Sequence, residues 1–205
     1  MNNYAEPEVD TLLAPLDSVD ATTTERLHAR LATAAAAAGV IDIVYHTVDT
    51  PVGVLLLAAT RHGLARVAYD SEDHEHVLAN LAERISPRIL HVPSRLEEVI
   101  RQLEEYFEGN RRRFDVPLDL SLSKGFRQTV LRKLPAIDYG RTASYAEVAV
   151  AAGSPKAVRA VGTACATNPL PVVVPCHRVV RSDGSPGGYV GGADAKHTLL
   201  ELETA

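Results

Sequence analysis

Apolar and polar positions change period twice along this chain, and the changes divide it. From about Glu25 a run at helical spacing continues through Ala34 to Ala38 and stops at Gly39. This predicts a helix capped by Thr24 and closed by a glycine in the C′ position. Upstream, residues 1–22 are polar, with scattered Asp, Glu and Pro and little period, which reads as a mobile tail. From Ile41 the pattern becomes that of strands. Ile41–Asp49, Val52–Thr60 and Leu64–Tyr69 are β-branched or apolar runs separated by Thr50-Pro51 and Arg61-His62-Gly63, the punctuation of a small antiparallel meander. Helical spacing returns over Asp73–Arg84 and over Ser94–Glu108, where Leu96, Val99, Ile100, Leu103 and Phe107 share a face and Gly109 ends the run. Phe114–Leu120 reads as a last extended piece, closing an α+β domain at about residue 120.

The rest of the chain is helical in pattern. Ser123 is placed to cap a helix over Lys124–Leu134, with Phe126, Val130, Leu131 and Leu134 on one face and Pro135 ending it. Two short helices follow, Ser144–Ala152 and Pro155–Ala166, joined by Gly153-Ser154 with Pro155 at N1, which is the signature of a helix-turn-helix or of an ordinary helical hairpin. The second helix carries one Arg among small side chains, Val158-Arg159-Ala160-Val161-Gly162-Thr163-Ala164, and no Gln or Asn to read base edges. Small residues allow close approach to a narrow groove, and one Arg can fill the gap left by a displaced base. The composition therefore favours minor-groove binding with base extrusion over sequence-specific regulation. A final helix over Asp194–Glu203 turns Leu199, Leu200 and Leu202 to the core and leaves Glu203 facing solvent.

The chain has 205 residues, 46% hydrophobic and 23% charged, enough for one large or two small domains. No apolar run reaches the roughly 18 residues of a membrane span, and Met1–Asp10 lack the pattern of a leader, so the expected location is the cytoplasm. The net charge of −5 hides an asymmetry: residues 1–120 carry 11 Lys+Arg against 20 Asp+Glu, whereas residues 121–205 carry 10 against 6. A phosphate-bearing partner would be met by the C-terminal part. The two cysteines, Cys165 and Cys176, make neither a disulfide framework nor a metal pair, and no metal or cofactor is expected.

Candidate chemistry concentrates in Asn168-Pro169-Leu170-Pro171-Val172-Val173-Val174-Pro175-Cys176-His177-Arg178-Val179. The prolines forbid a continuous helix and hold Cys176 on a fixed, non-helical backbone after an apolar, strand-like run. A free Cys in apolar surroundings is usually inert core. The basic groups of His177 and Arg178 beside it favour the thiolate and with it a nucleophilic role. The glycines of Gly184–Gly192 fit no phosphate-loop spacing and read as a hairpin walling a pocket.

Pro175-Cys176-His177-Arg178-Val179, with Asn168-Pro169 before it and Gly188-Tyr189-x-Gly191-Gly192 and Lys196-x-x-Leu199-Leu200-x-x-Glu203 after it, resembles the O6-alkylguanine-DNA alkyltransferases, also called methylated-DNA-protein-cysteine methyltransferases. Tyr139-Gly140-x-x-x-Ser144-Tyr145-x-Glu147-Val148-Ala149 and Pro155-x-Ala157-x-Arg159-Ala160-Val161-Gly162 continue the match. It is strong over about 120–204 and diffuse over 41–120. The resemblance implies an α+β protein: a tail and Ala-rich helix over 1–40, a ribonuclease H-like antiparallel sheet with helices over 41–120, and a helical, winged-helix-like domain with helix-turn-helix and active-site loop over 121–205.

It also implies roles. Arg159 would replace the flipped guanine, with Ala160 and Gly162 letting the helix sit in the minor groove. Tyr145 would turn the neighbouring phosphate and donate to the leaving purine, and Asn168 would hold the hinge. Glu203 would polarise His177, which through a water deprotonates Cys176. The backbone of Cys176 and Val179 would accept from the guanine amine, and Tyr189 and Val190 would complete the substrate pocket. The implied partner is double-stranded DNA containing O6-alkylguanine, with O4-methylthymine as a further possible lesion. The implied reaction is single-turnover transfer to Cys176 by a monomer without cofactor. The rival readings are a non-reactive lesion-binding protein or regulator, and a thiol hydrolase built on Cys176 and His177.

Overall fold

The computed structural model describes residues 20–204, so most of the expected tail lies outside the described residues. The chain divides at Val40 into two units. In the first, helix α1 (Ala21–Ala37) is capped not by Thr24 but by Asp20, whose carboxylate accepts from the Thr23 N–H at 2.6 Å. Gly39, with φ of +64°, takes the C′ position expected of it.

The second unit begins at Ile41. Strands β1 (Ile43–Val48), β2 (Leu55–Thr60) and β3 (Gly63–Tyr69) form the expected antiparallel meander. A fourth strand, β4 (Ile89–His91), lies parallel to β1, giving the order β3-β2-β1-β4. Three residues after a proline carry too little period to read from sequence. Leu55, Leu56, Leu57 and Ala58 of the central strand are each fully buried, which is why the run is apolar without alternation. Leu56 and Ala58 join Ile43, Ala68, and Val77 and Leu81 of helix α2 (His74–Arg84) in one cluster.

Helix α3 (Glu97–Phe107) buries Val99, Gln102, Leu103 and Tyr106; Phe107, expected on the inner face, is only half-buried. The Gln102 amide bonds the Asp115 backbone on both sides, holding the segment that follows. Phe114–Leu120 is not a strand: it touches β3 through a single bridge, Leu64 with Leu118. Gly63 permits that contact. Its φ is +133°, and a Cβ there would strike the Pro117 carbonyl.

Helix α4 (Phe126–Lys133) starts after Gly125, at φ +59°, and not from a Ser123 cap; Ser123 is buried in the preceding turn. The helix-turn-helix consists of α5 (Tyr145–Ala151) and α6 (Val158–Ala166). Ser144 caps α5 in a reciprocal box with Glu147. Pro155 is not at N1 of α6, because a turn closed by the Ala157 N–H on the Ser154 carbonyl delays the helix to Val158. A short ladder pairs β5 (Ala143–Ser144) with β6 (Val179–Val180), and α7 (Gly192–Thr204) ends the described chain. Among the described residues, no helix is long and apolar enough to cross a membrane.

Leu56→Ala should lower stability by about 2–5 kcal/mol through lost burial and a cavity, and Gly63→Ala by about 1–3 kcal/mol through backbone strain. Urea unfolding midpoints check both.

Candidate active site

Asn168, at the end of α6, organises the proline-rich loop. Its Oδ1 accepts from the Leu170 N–H at 3.0 Å, and its Nδ2 donates to the Val174 carbonyl at 2.9 Å and to the Cys176 sulfur at 3.1 Å. The Leu170 N–H and the Val174 carbonyl lie in a segment where Pro169, Pro171 and Pro175 forbid a regular ladder. Val172 sits at φ +69°, a strained setting for a β-branched side chain, so the loop is held by its surroundings. The apolar run before Cys176 is therefore a series of turns and not a strand, and Cys176 opens a 3-10 turn, Cys176–Arg178.

That turn aims His177 inward. Its Nε2 lies 2.9 Å from Glu203 Oε1, and both side chains are essentially inaccessible. Glu203 is not a surface residue: Lys196, Leu199 and Glu203 fall on one buried stripe of α7, so charged groups occupy positions where apolar periodicity placed only leucines. The carboxylate is saturated with donors. Arg178 reaches it through Nε and Nη2, each at 2.8 Å, the Tyr106 hydroxyl donates at 2.7 Å, and the Gly140 N–H at 3.3 Å. Tyr139 secures the same helix end through its hydroxyl on the Leu202 carbonyl, and Gly140, at φ +70°, lets its backbone approach Glu203 where a Cβ would collide.

Burial opposes charge on Glu203, but the bonds from His177, Arg178 and Tyr106 prevail and hold its carboxyl at about 2. Burial keeps the His177 imidazole below its ordinary value in spite of the carboxylate. A neutral ring that donates from Nε2 has a bare Nδ1, and this buried atom makes no hydrogen bond within the protein. Burial raises the Cys176 thiol to about 11, with the Asn168 amide pulling the other way. The expected thiolate beside His177 and Arg178 is thereby corrected: Arg178 is committed to Glu203, His177 is neutral, and the sulfur rests as a thiol. Cys165, also buried, is raised to about 12 by burial and then by Cys176.

The residues that the resemblance assigns to the substrate lie as follows. Tyr145 opens α5 half-buried, with its hydroxyl against Gly187, where no side chain would fit. Burial raises its hydroxyl, which keeps it a donor. The Val179 carbonyl accepts from Lys196 Nζ at 2.7 Å, so its acceptor capacity is shared. The Tyr189 hydroxyl meets that of Tyr69, from β3, at 3.0 Å, and Gly191 lies against the Tyr69 ring; Val190 is half-buried between them in sequence. Arg159 is exposed near the start of α6, with Ala160 and Gly162 half-buried beyond it. Sequence reasoning missed Tyr106, Tyr69 and the pairing of Arg178. The signal available was a Tyr next to an apolar helix position and an Arg that follows the Cys-His pair. Among the described residues no cluster of His, Cys, Asp or Glu could hold a metal.

Residues 43–120 match the family model described as the 6-O-methylguanine DNA methyltransferase ribonuclease-like domain, and residues 125–205 match the corresponding DNA binding domain. The chain is 41% identical over 161 residues to a methylated-DNA–protein-cysteine methyltransferase of Mycolicibacterium paratuberculosis, covering 78% of this chain and 92% of that protein. It is 39% identical to the constitutive enzyme of that name from Bacillus subtilis, covering 78% and 94%. The crystal structure of Mycobacterium tuberculosis OGT in complex with DNA superposes with a TM-score of 0.68 at 38% identity, covering 78% of this chain and 92% of that one. With these two family models together spanning most of the chain and relatives about 40% identical over most of their length, the chain belongs to the 6-O-methylguanine DNA methyltransferase family.

Proposed function

We propose that this protein repairs duplex DNA by moving the alkyl group of O6-alkylguanine onto Cys176, once per molecule. Residues 41–120 form the ribonuclease-like part and residues 121–205 bind DNA and carry the transfer. The observation that carries this reading is the pairing of a buried thiol, held by Asn168, with a neutral His177 whose Nε2 is fixed on Glu203 and whose Nδ1 is bare. A nucleophile, a base and a group orienting that base make a nucleophilic site. Cys176 is about 1% exposed, so its thiol is shielded from bulk solvent.

Arg159 enters the duplex from the minor groove and stands in for the extruded guanine, with Ala160 and Gly162 keeping the helix surface low. The cost of unstacking, a few kcal/mol, is offset by these contacts. In the pocket, Val179, Tyr189 and Val190 contact the base. His177 takes the thiol proton through a water as the sulfur attacks the alkyl carbon in line. The S–C bond forms, the O6–C bond breaks, and guanine leaves with a net proton, assisted by the Tyr145 hydroxyl. A thioether is a poor leaving group, so the protein is consumed. O6-Methylguanine is the primary substrate, with O4-methylthymine as a second, and the reaction needs no cofactor, membrane or second subunit. The work is done in the cytoplasm.

Incubation with duplex carrying O6-methylguanine should add one methyl mass per chain, on Cys176. Transfer to another residue, or none, overturns the reading. Cys176→Ala should lose transfer and keep DNA binding. Arg159→Ala should slow duplex repair by about tenfold or more, about 1.4 kcal/mol, while reaction with free O6-benzylguanine stays near wild type; equal losses on both would remove the finger role.

The relay also sets an acid limit. A carboxyl lowered to about 2 contributes stability that is complete above its ordinary value near 4.5 and disappears as pH falls toward 2. The imidazole, lowered by burial, adds a loss that begins below pH 6.5. Glu203→Gln should therefore be less stable than wild type at pH 7 and show a flatter loss below about pH 4.5 in urea melts run across pH.

A further inference from the structure

A cleft of about 410 Å³ opens between α2 and the C-terminal end of α6. His76, Asn80 and Arg84 line it from α2 at i, i+4 and i+8, stacked on one face of the helix. Arg127 of α4 and Arg66 of β3 add two guanidiniums. The one carboxylate in the lining, Glu72, is paired with Arg66. Arg84 gives one N–H to the Leu122 carbonyl at 2.9 Å, and Arg127 is exposed. Among the described residues neither Arg84 nor Arg127 has a carboxylate partner. The cleft thus gathers donors and positive charge with no acid left to balance them.

Its opposite wall is Ala166 and Thr167, and these extend the exposed side of α6 that starts at Arg159 and passes Thr163. The Thr167 hydroxyl is turned back onto the Thr163 carbonyl at 2.8 Å, which covers an acceptor that would otherwise face an anion. Eight residues of helix span about 12 Å, and a DNA strand carries one phosphate per about 3.4 Å of axis. A strand that follows α6 from Arg159 therefore brings further phosphates to the cleft.

We propose that this cleft is a second anchor for the duplex, in which the donors of α2, in the ribonuclease-like half, and Arg127 of α4 hold the phosphodiester backbone beside the flipped nucleotide. The proposal rests on the DNA-repair reading and extends it to a half of the chain that contributes no reacting group. Its chemistry is that of backbone positioning, without base readout.

The test is anisotropy of an undamaged, labelled duplex across salt concentrations, with wild type, Arg84→Gln/Arg127→Gln and Asn80→Glu, each confirmed folded by its cooperative thermal melt. Asn80→Glu places a negative charge in the cleft without removing either guanidinium. Losing two phosphate contacts should reduce the slope of log affinity against log salt by about two, and Asn80→Glu should weaken binding at low salt. Both variants matching wild type in slope and affinity would overturn the cleft and leave the repair reading standing. A wild type that binds no duplex would take both down, and wild-type failure to react with free O6-benzylguanine while binding DNA would remove the transfer reading alone.

Discussion

The Glu203 carboxylate is the point on which the site depends. A buried carboxylate is tolerated only when donors replace its water, and removing one partner of a buried pair leaves a charge that costs several kcal/mol. Here the donors come from separate parts of the chain: Tyr106 from α3, Gly140 from the loop before β5, and His177 and Arg178 from the reactive turn. One anion thus ties the end of α7 to the turn that carries the thiol and to the helix of the preceding half. The orientation of His177 is a consequence of that closure, since its Nε2 is committed and only Nδ1 is left for chemistry.

The same burial governs reactivity. A thiol raised to about 11 is a poor nucleophile at rest, and burial leaves no standing thiolate open to adventitious oxidation. On the proposed reading, deprotonation belongs to the complex with DNA, where a neutral base and an alkyl carbon meet the thiol. The ribonuclease-like half takes part through contact: Tyr69 backs Tyr189 and Gly191, and the Pro169 carbonyl accepts from the Val67 N–H at 2.8 Å and from Arg66. Strand β3 therefore grips both sides of the loop that carries Cys176.

Much of this was legible in the sequence where local chemistry dictates structure. The meander, the helix-turn-helix and the glycine ends of α1 and α3 follow from period and from positive φ. Cys176, His177, Asn168 and Glu203 stood out as a motif, and the fold brings them together. The failures at the site have a common cause, because period reports which face is inside and says nothing of a polar group satisfied there. By period alone Glu203 looked like a surface charge, Phe107 took the place of Tyr106 on the inner face, and Arg178 was read as a neighbour of the thiol when its partner lies 25 positions away. Caps failed at Ser123 and Pro155 for a different reason: a local turn, closed by the Ser123 N–H on the Leu120 carbonyl and by the Ala157 N–H on the Ser154 carbonyl, precedes each helix start.

The most direct measurement is the nitrogen-15 spectrum of His177 in the unmodified protein between pH 5 and 8, assigned by comparison with a His177→Gln variant. A ring that is neutral and protonated on Nε2 at pH 7 and above is the expected result. An imidazolium at neutral pH, or a ring protonated on Nδ1, would contradict the proposed role of this histidine as the base for Cys176.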